Sequence, residues 1–199
     1  MIVNIGGGRT EAAVISLFGI VASESVRIGG KQLDEAIQAF VRRKYKLSIG
    51  IRTAEEVKIS IGSALPDLTP MKQAVRGRDT VTGLPKTITL TSTEIATAIE
   101  EPLLAVTQTV KNALSRTPPE LAADILDRGI VLTGGGALLR NIEKLLTQAT
   151  EVPCYITDSP LECAAIGAEL ALADIDIIER SLPTEEEMLM DLFPQARID

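Results

Sequence analysis

Two runs of three glycines constrain this chain more than any other feature. Gly6, Gly7 and Gly8 close an apolar run over residues 1–5 and precede a second apolar run over 12–17; Gly134, Gly135 and Gly136 close an apolar run over 129–133 and precede a stretch of helical period. Consecutive glycines weaken both helix and strand, because each loses more backbone freedom on folding than any other residue. Each triplet is therefore a turn, the first between two strands and the second between a strand and a helix. After the second triplet, Leu138, Ile142, Leu145, Leu146 and Ala149 share one face of a helix predicted over 137–149, followed by a strand at 153–157 and a helix over 160–173. Strand–helix–strand–helix calls for right-handed crossovers and a parallel sheet edge. After the first triplet, the runs at 12–17 and 20–28, parted by Gly19, read as an antiparallel meander. The fold class is α/β.

Between the triplets, Leu33, Ile37, Phe40, Val41 and Tyr45 form one helical stripe, with Lys31, Gln38, Arg42 and Lys46 outside it. Thr53 with Glu56 has the spacing of a capping box, which predicts a second helix from Thr53 to about Ile61. Prolines, glycines and alternating segments over 65–90 suggest a strand-rich insertion. Two helices follow, over 92–100 and 102–115, with Pro102 in a first turn where its missing N–H costs little. Pro118 and Pro119 open a further short helix. These signals divide the chain into a main unit of residues 1–64 and 117–173, a small inserted α+β subdomain at 65–116, and an acidic tail at 174–199.

Composition removes several function classes. Aromatics are 3% of the chain, so the core is aliphatic and base stacking on aromatic platforms is excluded. The net charge of −7 is concentrated in residues 174–199, where eight carboxylates face only Arg180 and Arg197; neither body nor tail has the basic footprint of a nucleic-acid binder. With no histidine, His-based metal sites and Ser-His or Cys-His catalysis are excluded. Cys154 and Cys163 fit a reduced, cytoplasmic protein, and no signal-peptide pattern or 18-residue apolar run points to a membrane anchor in this chain.

The triplets are also the candidate chemistry. Glycines between a strand and a helix start let backbone amides approach an anion, although such a turn also serves as a plain connector. Gly6, Gly7 and Gly8, followed by Arg9 and Thr10, can form an anion-binding nest or simply a tight hairpin. Neither triplet is a P-loop or a dinucleotide fingerprint.

Together the triplets have the layout of the second half of the actin, Hsp70 and sugar-kinase fold. The segments IGGGRTEAAVISL, VRIGGKQLDEAI, AEEVKISIGSA, VRGRD, PPELAADILDRGIVLTGGGALLRNIEKLL and SPLECAAIGAELAL resemble the MreB family of bacterial actins, in order and at similar spacing, over residues 1–172. The resemblance implies an actin-like, ribonuclease-H-like second domain, the C-terminal half of such a protein, with one side of an ATP site. Gly6, Gly7, Gly8, Arg9 and Thr10 would face the β- and γ-phosphates. Glu55 and Lys58 would lie near ribose and base, where a solvated helix face is the alternative reading. Gly134, Gly135, Gly136 and Ala137 would form the adenosine turn. Asn4 stands where the family has an aspartate near Mg²⁺, and Arg9 where it has a threonine. With the family's first domain expected before Met1, ATP with Mg²⁺ would bind weakly and hydrolysis would be lost. The implied role is a cytoplasmic cell-shape filament, self-associating or joining full-length MreB-like filaments; the alternative is a non-catalytic module that caps or modulates them. Apolar surface is expected around Ile2, Val3 and Thr133.

Overall fold

The computed structural model describes residues 1–17 and 19–175, so the acidic tail beyond 175 lies outside the described residues. Its larger sheet holds five strands in the order β3-β2-β1-β7-β8, with β1 at Ile2–Ile5, β2 at Thr10–Ser16, β3 at Gly19–Val26, β7 at Ile130–Thr133 and β8 at Cys154–Ile156. β1 pairs antiparallel with β2, and β2 with β3; β1 pairs parallel with β7, and β7 with β8. The meander and the parallel edge thus meet at β1, the central strand that runs into the first glycine triplet.

A smaller antiparallel sheet contains β4 at Leu47–Ser48, β5 at Lys72–Asp79 and β6 at Pro85–Thr91. Helices α1 (Gly30–Tyr45) and α2 (Ile51–Ile61) pack against each other, and α2 also meets β5. α3 (Ser92–Ser115) packs on β2, β3 and α1. Strand β4 lies before residue 65 yet belongs to the small sheet, while α3, inside 65–116, lies on the large one. One aliphatic cluster, from Val3 and Ile5 through Ile37, Val57 and Leu90 to Leu132 and Leu146, runs through both parts, and Phe40 is its one buried aromatic among the described residues.

Several elements differ from the sequence expectation. α2 begins at Ile51 rather than Thr53, because extended Gly50 caps it and accepts from the Ala54 amide at 3.1 Å; Thr53 is inside the helix and its capping box is unused. The working box is Thr91 with Glu94 at the start of α3: Thr91 Oγ1 accepts from the Glu94 amide, and Glu94 Oε2 accepts from the Thr91 amide at 2.9 Å. The two helices expected around Pro102 are one. Pro102 removes a single ladder bond, whereas Ile95, Ile99, Leu103, Val106 and Val110 all bury along one face; packing outweighs the missing donor.

No long helix starts at Ala137. A 3-10 turn, Gly135–Leu138, is followed by Leu139, Arg140 and left-handed Asn141 (φ 62°), and only then by α5 (Ile142–Thr150). α6 starts at Cys163 rather than Pro160, since the Pro160 carbonyl accepts from the Gly134 amide and the Thr133 hydroxyl. α4 (Pro119–Arg128) begins at the proline pair as expected.

Pleat alternation corrects one surface expectation. Val3 is fully buried, whereas Ile2, Ile15 and Tyr155 on the opposite sheet face are exposed, and α6 buries none of its residues. Among the described residues no helix is long and apolar enough to cross a membrane.

Candidate functional site

β1 ends in the hairpin turn at Gly6, which the Gly6 amide closes by donating to the Arg9 carbonyl at 2.8 Å. The turn's own carbonyls then receive a helix: the Gly30 amide donates to Gly6 O at 2.9 Å and the Lys31 amide to Gly7 O at 2.7 Å. The first amides of α1 are thereby spent within the protein. Those of Gly7 and Gly8 have no partner among the described residues, and both glycines are exposed. Two successive free amides form a nest that is a fit site for an anion.

α2 supplies the next wall. Lys58 Nζ lies 2.8 Å from Asp34 Oδ1 and donates to Gly30 O at 3.1 Å. Asp34 is 4% exposed, and its carboxylate is paired with Lys58 inside the fold. Burial pushes the Asp34 carboxyl above its ordinary range, and Lys58 opposes that shift. Lys58 thus holds α2 to the start of α1 behind the first triplet.

The third wall is the 3-10 turn. Gly134 is left-handed at φ 84° and its amide donates to Pro160 O at 2.8 Å. A methyl at Gly134 would sit 2.4 Å from Ile5 O, and one at Gly136 would sit 2.2 Å from Ile5 Cγ2. Only glycine lets this turn close so tightly on β1.

The three walls enclose a cleft of about 480 Å³, lined by Gly6, Gly7, Lys31, Glu55, Lys58, Gly135 and Gly136, with Ile59, Leu138 and Leu139 giving it an apolar side. The structure therefore brings both triplets and both α2 residues to one space. It places the other expected site residues elsewhere. Thr10 is fully buried with its hydroxyl donating to Ile28 O at 2.8 Å, Ala137 is fully buried, Gly134 packs on β1, and Gly8 and exposed Arg9 stand beside the cleft, with Arg9 paired to Glu11 at 3.2 Å. Among the described residues no group of three acidic, Cys or His side chains is placed to hold a metal.

Sequence reading missed Asp34, Lys31 and Arg140. Asp34 left a signal, since it falls within the buried stripe of α1 beside Leu33 and Ile37. Arg140 left none: its partners lie 73 or more residues away. A larger open groove of about 790 Å³ lies near the C-terminal end of α1, around Arg42, Arg43, Lys46 and Thr80. It includes no residue of either triplet, and its charges are solvated.

The sequence matches the MreB/Mbl protein family over residues 1–180. It is 51% identical over 186 residues to the cell shape-determining protein MreB of Escherichia coli (strain K12), covering 94% of this chain and 54% of that protein. It is 46% identical over 176 residues to the cell shape-determining protein Mbl of Bacillus subtilis (strain 168), covering 88% and 53%. The chain thus spans about half the length of the curated relatives it matches. Among solved structures, MreB5 of Spiroplasma citri bound to ADP superposes with a TM-score of 0.84 at 38% identity, covering 87% of this chain and 53% of that one. A MamK double helical filament, at TM-score 0.69 and 22% identity over 87% and 53%, shares the actin-like fold.

Proposed function

The chain belongs to the MreB/Mbl family, and from that premise we propose that it is the second-domain half of a bacterial actin of the cell-shape cytoskeleton, presenting one wall of an ATP site in the cytoplasm. One observation carries this reading: Gly6, Gly7, Glu55, Lys58, Gly135 and Gly136, from three separate parts of the chain, line a single cleft. The free amides of Gly7 and Gly8 with Lys31 suit the phosphates, and the apolar side formed by Ile59, Leu138 and Leu139 suits a nucleoside. The relative from Spiroplasma citri was crystallised with ADP and also with AMPPNP, which supports the choice of ligand.

Mg²⁺ would arrive with the phosphates and keep most of its waters, since Asn4 offers an amide where a carboxylate would attract the cation. Binding is therefore weak and hydrolysis absent. The packing also suggests a redrawn small subdomain of residues 30–91, holding α1, α2 and the β4-β5-β6 sheet, with α3 assigned to the main unit.

Titration of the purified chain with ATP tests the reading. Saturable binding is expected, competed by ADP and weakened by Gly7→Ala, with no turnover above blank. No binding at millimolar ATP would sink it.

Asn4 and the exposed sheet face with Ile2, Ile15 and Tyr155 favour one second reading, a non-catalytic module that self-associates or caps filaments of a longer relative. Sedimentation of such filaments with and without this chain decides between them; an unchanged pellet across all ratios excludes the capping role.

A further inference from the structure

We propose that Arg140 is a positioning residue that sets the width of the nucleoside end of the cleft, an inference that rests on the ATP reading above. The two walls at that end come from distant segments: α2 with Ile59 and Gly62, and the 3-10 turn with Leu138 and Leu139. Sheet pairing barely joins them. The backbone link is a single parallel bridge between Ser63 and Arg140, with the Ala64 amide donating to Arg140 O at 2.8 Å.

The Arg140 side chain supplies the rest. Its Nε donates to Gly62 O at 3.0 Å, and its Nη2 donates to Ile61 O at 2.9 Å and to Asp67 Oδ2 at 2.9 Å. The guanidinium therefore caps the last carbonyls of α2, which a helix leaves without internal partners and where positive charge is favoured. Asn141 repeats the bond one residue on, its Nδ2 donating to Ser63 Oγ at 2.9 Å. Hydrogen bonds from Ser92, then from Arg140 and Ser63, hold the Asp67 carboxyl below its ordinary range, so the anchor is charged at neutral pH. Nε and Nη2 both donate to protein groups, so although Arg140 itself borders the cleft, these bonds act on a ligand through the walls they join.

The phosphate end is fixed by other bonds, those from Gly30 and Lys31 to the hairpin and from Lys58 to Asp34 and Gly30. The bonds that fix the two ends of the cleft are therefore made by different residues. Lysine cannot replace the clamp, because an ammonium lacks the planar fork that reaches two carbonyls and a carboxylate at once.

The test compares Arg140→Lys and Asp67→Asn with the unaltered full chain, using ATP and inorganic tripolyphosphate as separate probes. Backbone amide exchange is measured on the ligand-free protein. Arg140→Lys is expected to weaken ATP roughly tenfold, as for a lost charged hydrogen bond, and to leave tripolyphosphate within about twofold. Exchange should quicken at residues 61–64 and 139–142 and stay unchanged at 10–16. Asp67→Asn removes one anchor of three and should move both readouts less, in the same direction. It also keeps the test alive if the arginine variant does not fold. Equal weakening of both ligands, or unchanged exchange at the two walls in either variant, overturns the proposal. If the unaltered chain binds no ATP, the ATP reading fails, and the exchange comparison still decides whether Arg140 joins the walls.

Discussion

Gly7 and Gly8 stand in open space, whereas Gly134 and Gly136 are pressed against β1. A methyl at Gly7 or Gly8 would meet no atom within 4 Å, while one at Gly134 or Gly136 would run into Ile5. Identical triplets thus serve opposite physical needs. The first leaves the Gly7 and Gly8 amides uncovered, and its backbone is held from behind by α1. The second has no room for a side chain at Gly134 or Gly136, because there the turn lies on the central strand. A glycine in sequence signals that a Cβ is unwanted, and only its surroundings tell whether a ligand or the protein itself claims the space.

The contrast is sharpest in stability. Gly134→Ala should cost about 3 kcal/mol or more, combining a left-handed backbone with contact against a fixed carbonyl. Urea unfolding at pH 7 measures it, and a loss below about 1 kcal/mol would show that the second turn is not packed as described.

The support behind the first triplet comes next. Lys58→Met leaves the Asp34 carboxylate buried without its partner and should cost about 2–3 kcal/mol at pH 7. Burial already raises the Asp34 pKa, and removing Lys58 raises it further, so the folded variant takes up a proton more readily than the unfolded chain does. The deficit relative to the unaltered chain should shrink as pH falls from neutrality towards the ordinary carboxylate range. A pH-independent deficit would mean that Lys58 acts through packing alone.

A smaller effect is expected at the far end of α1. Burial tends to raise the Glu94 pKa, but hydrogen bonds from Lys44 (2.6 Å), Tyr45 (2.5 Å) and Thr91 outweigh it and hold the carboxyl at about 2. Its folded pKa is thus depressed, so its contribution is complete above the ordinary value of 4.5 and is lost as pH falls from there towards 2. Glu94→Gln should cost about 1 kcal/mol at neutral pH and converge with the unaltered chain across that window. Parallel stability curves down to pH 2.5 would contradict the network.

The smallest stability effect belongs to the open triplet. Gly7→Ala should change unfolding free energy by no more than about 0.5 kcal/mol, since its backbone is not left-handed and the space is free. It should still weaken ATP, because the new methyl stands where a phosphate would approach the amide. A variant that is unstable yet binds normally would reverse the roles assigned to the two triplets.

Much of the fold was legible before any coordinates. Alternation and glycine turns predict the meander, and the 3.6-residue period of Leu33, Ile37 and Val41 predicts α1. The crossover rule predicts a parallel edge, which the β7–β8 pairing supplies, while its place beside β1 comes from the structure. The misreadings arose where one signal gave way to another, a nearer cap at α2 and packing at α3. The Thr53 box lost to the Gly50 cap, and Pro102 lost to the buried stripe of α3. Of the candidate site residues named from sequence, Gly6, Gly7, Glu55, Lys58, Gly135 and Gly136 share one cleft. Thr10 and Ala137 are instead buried, because a strand's register and a turn's packing decide which way a residue faces.

The sequence by itself determined the glycine turns, the meander and the helical stripe of α1, that the core is aliphatic, and that chemistry based on histidine is excluded. Those properties are written in neighbouring residues, through backbone freedom and short-period burial. The tertiary structure alone decided which triplet stays open, why Asp34 can be buried beside Lys58, and that Arg140 joins walls whose residues lie 73 to 79 positions away in sequence. Such contacts have no period and no local signature. They exist because the folded core brings distant segments within hydrogen-bonding distance, and there an unpartnered donor or charge costs more than the order needed to pair it.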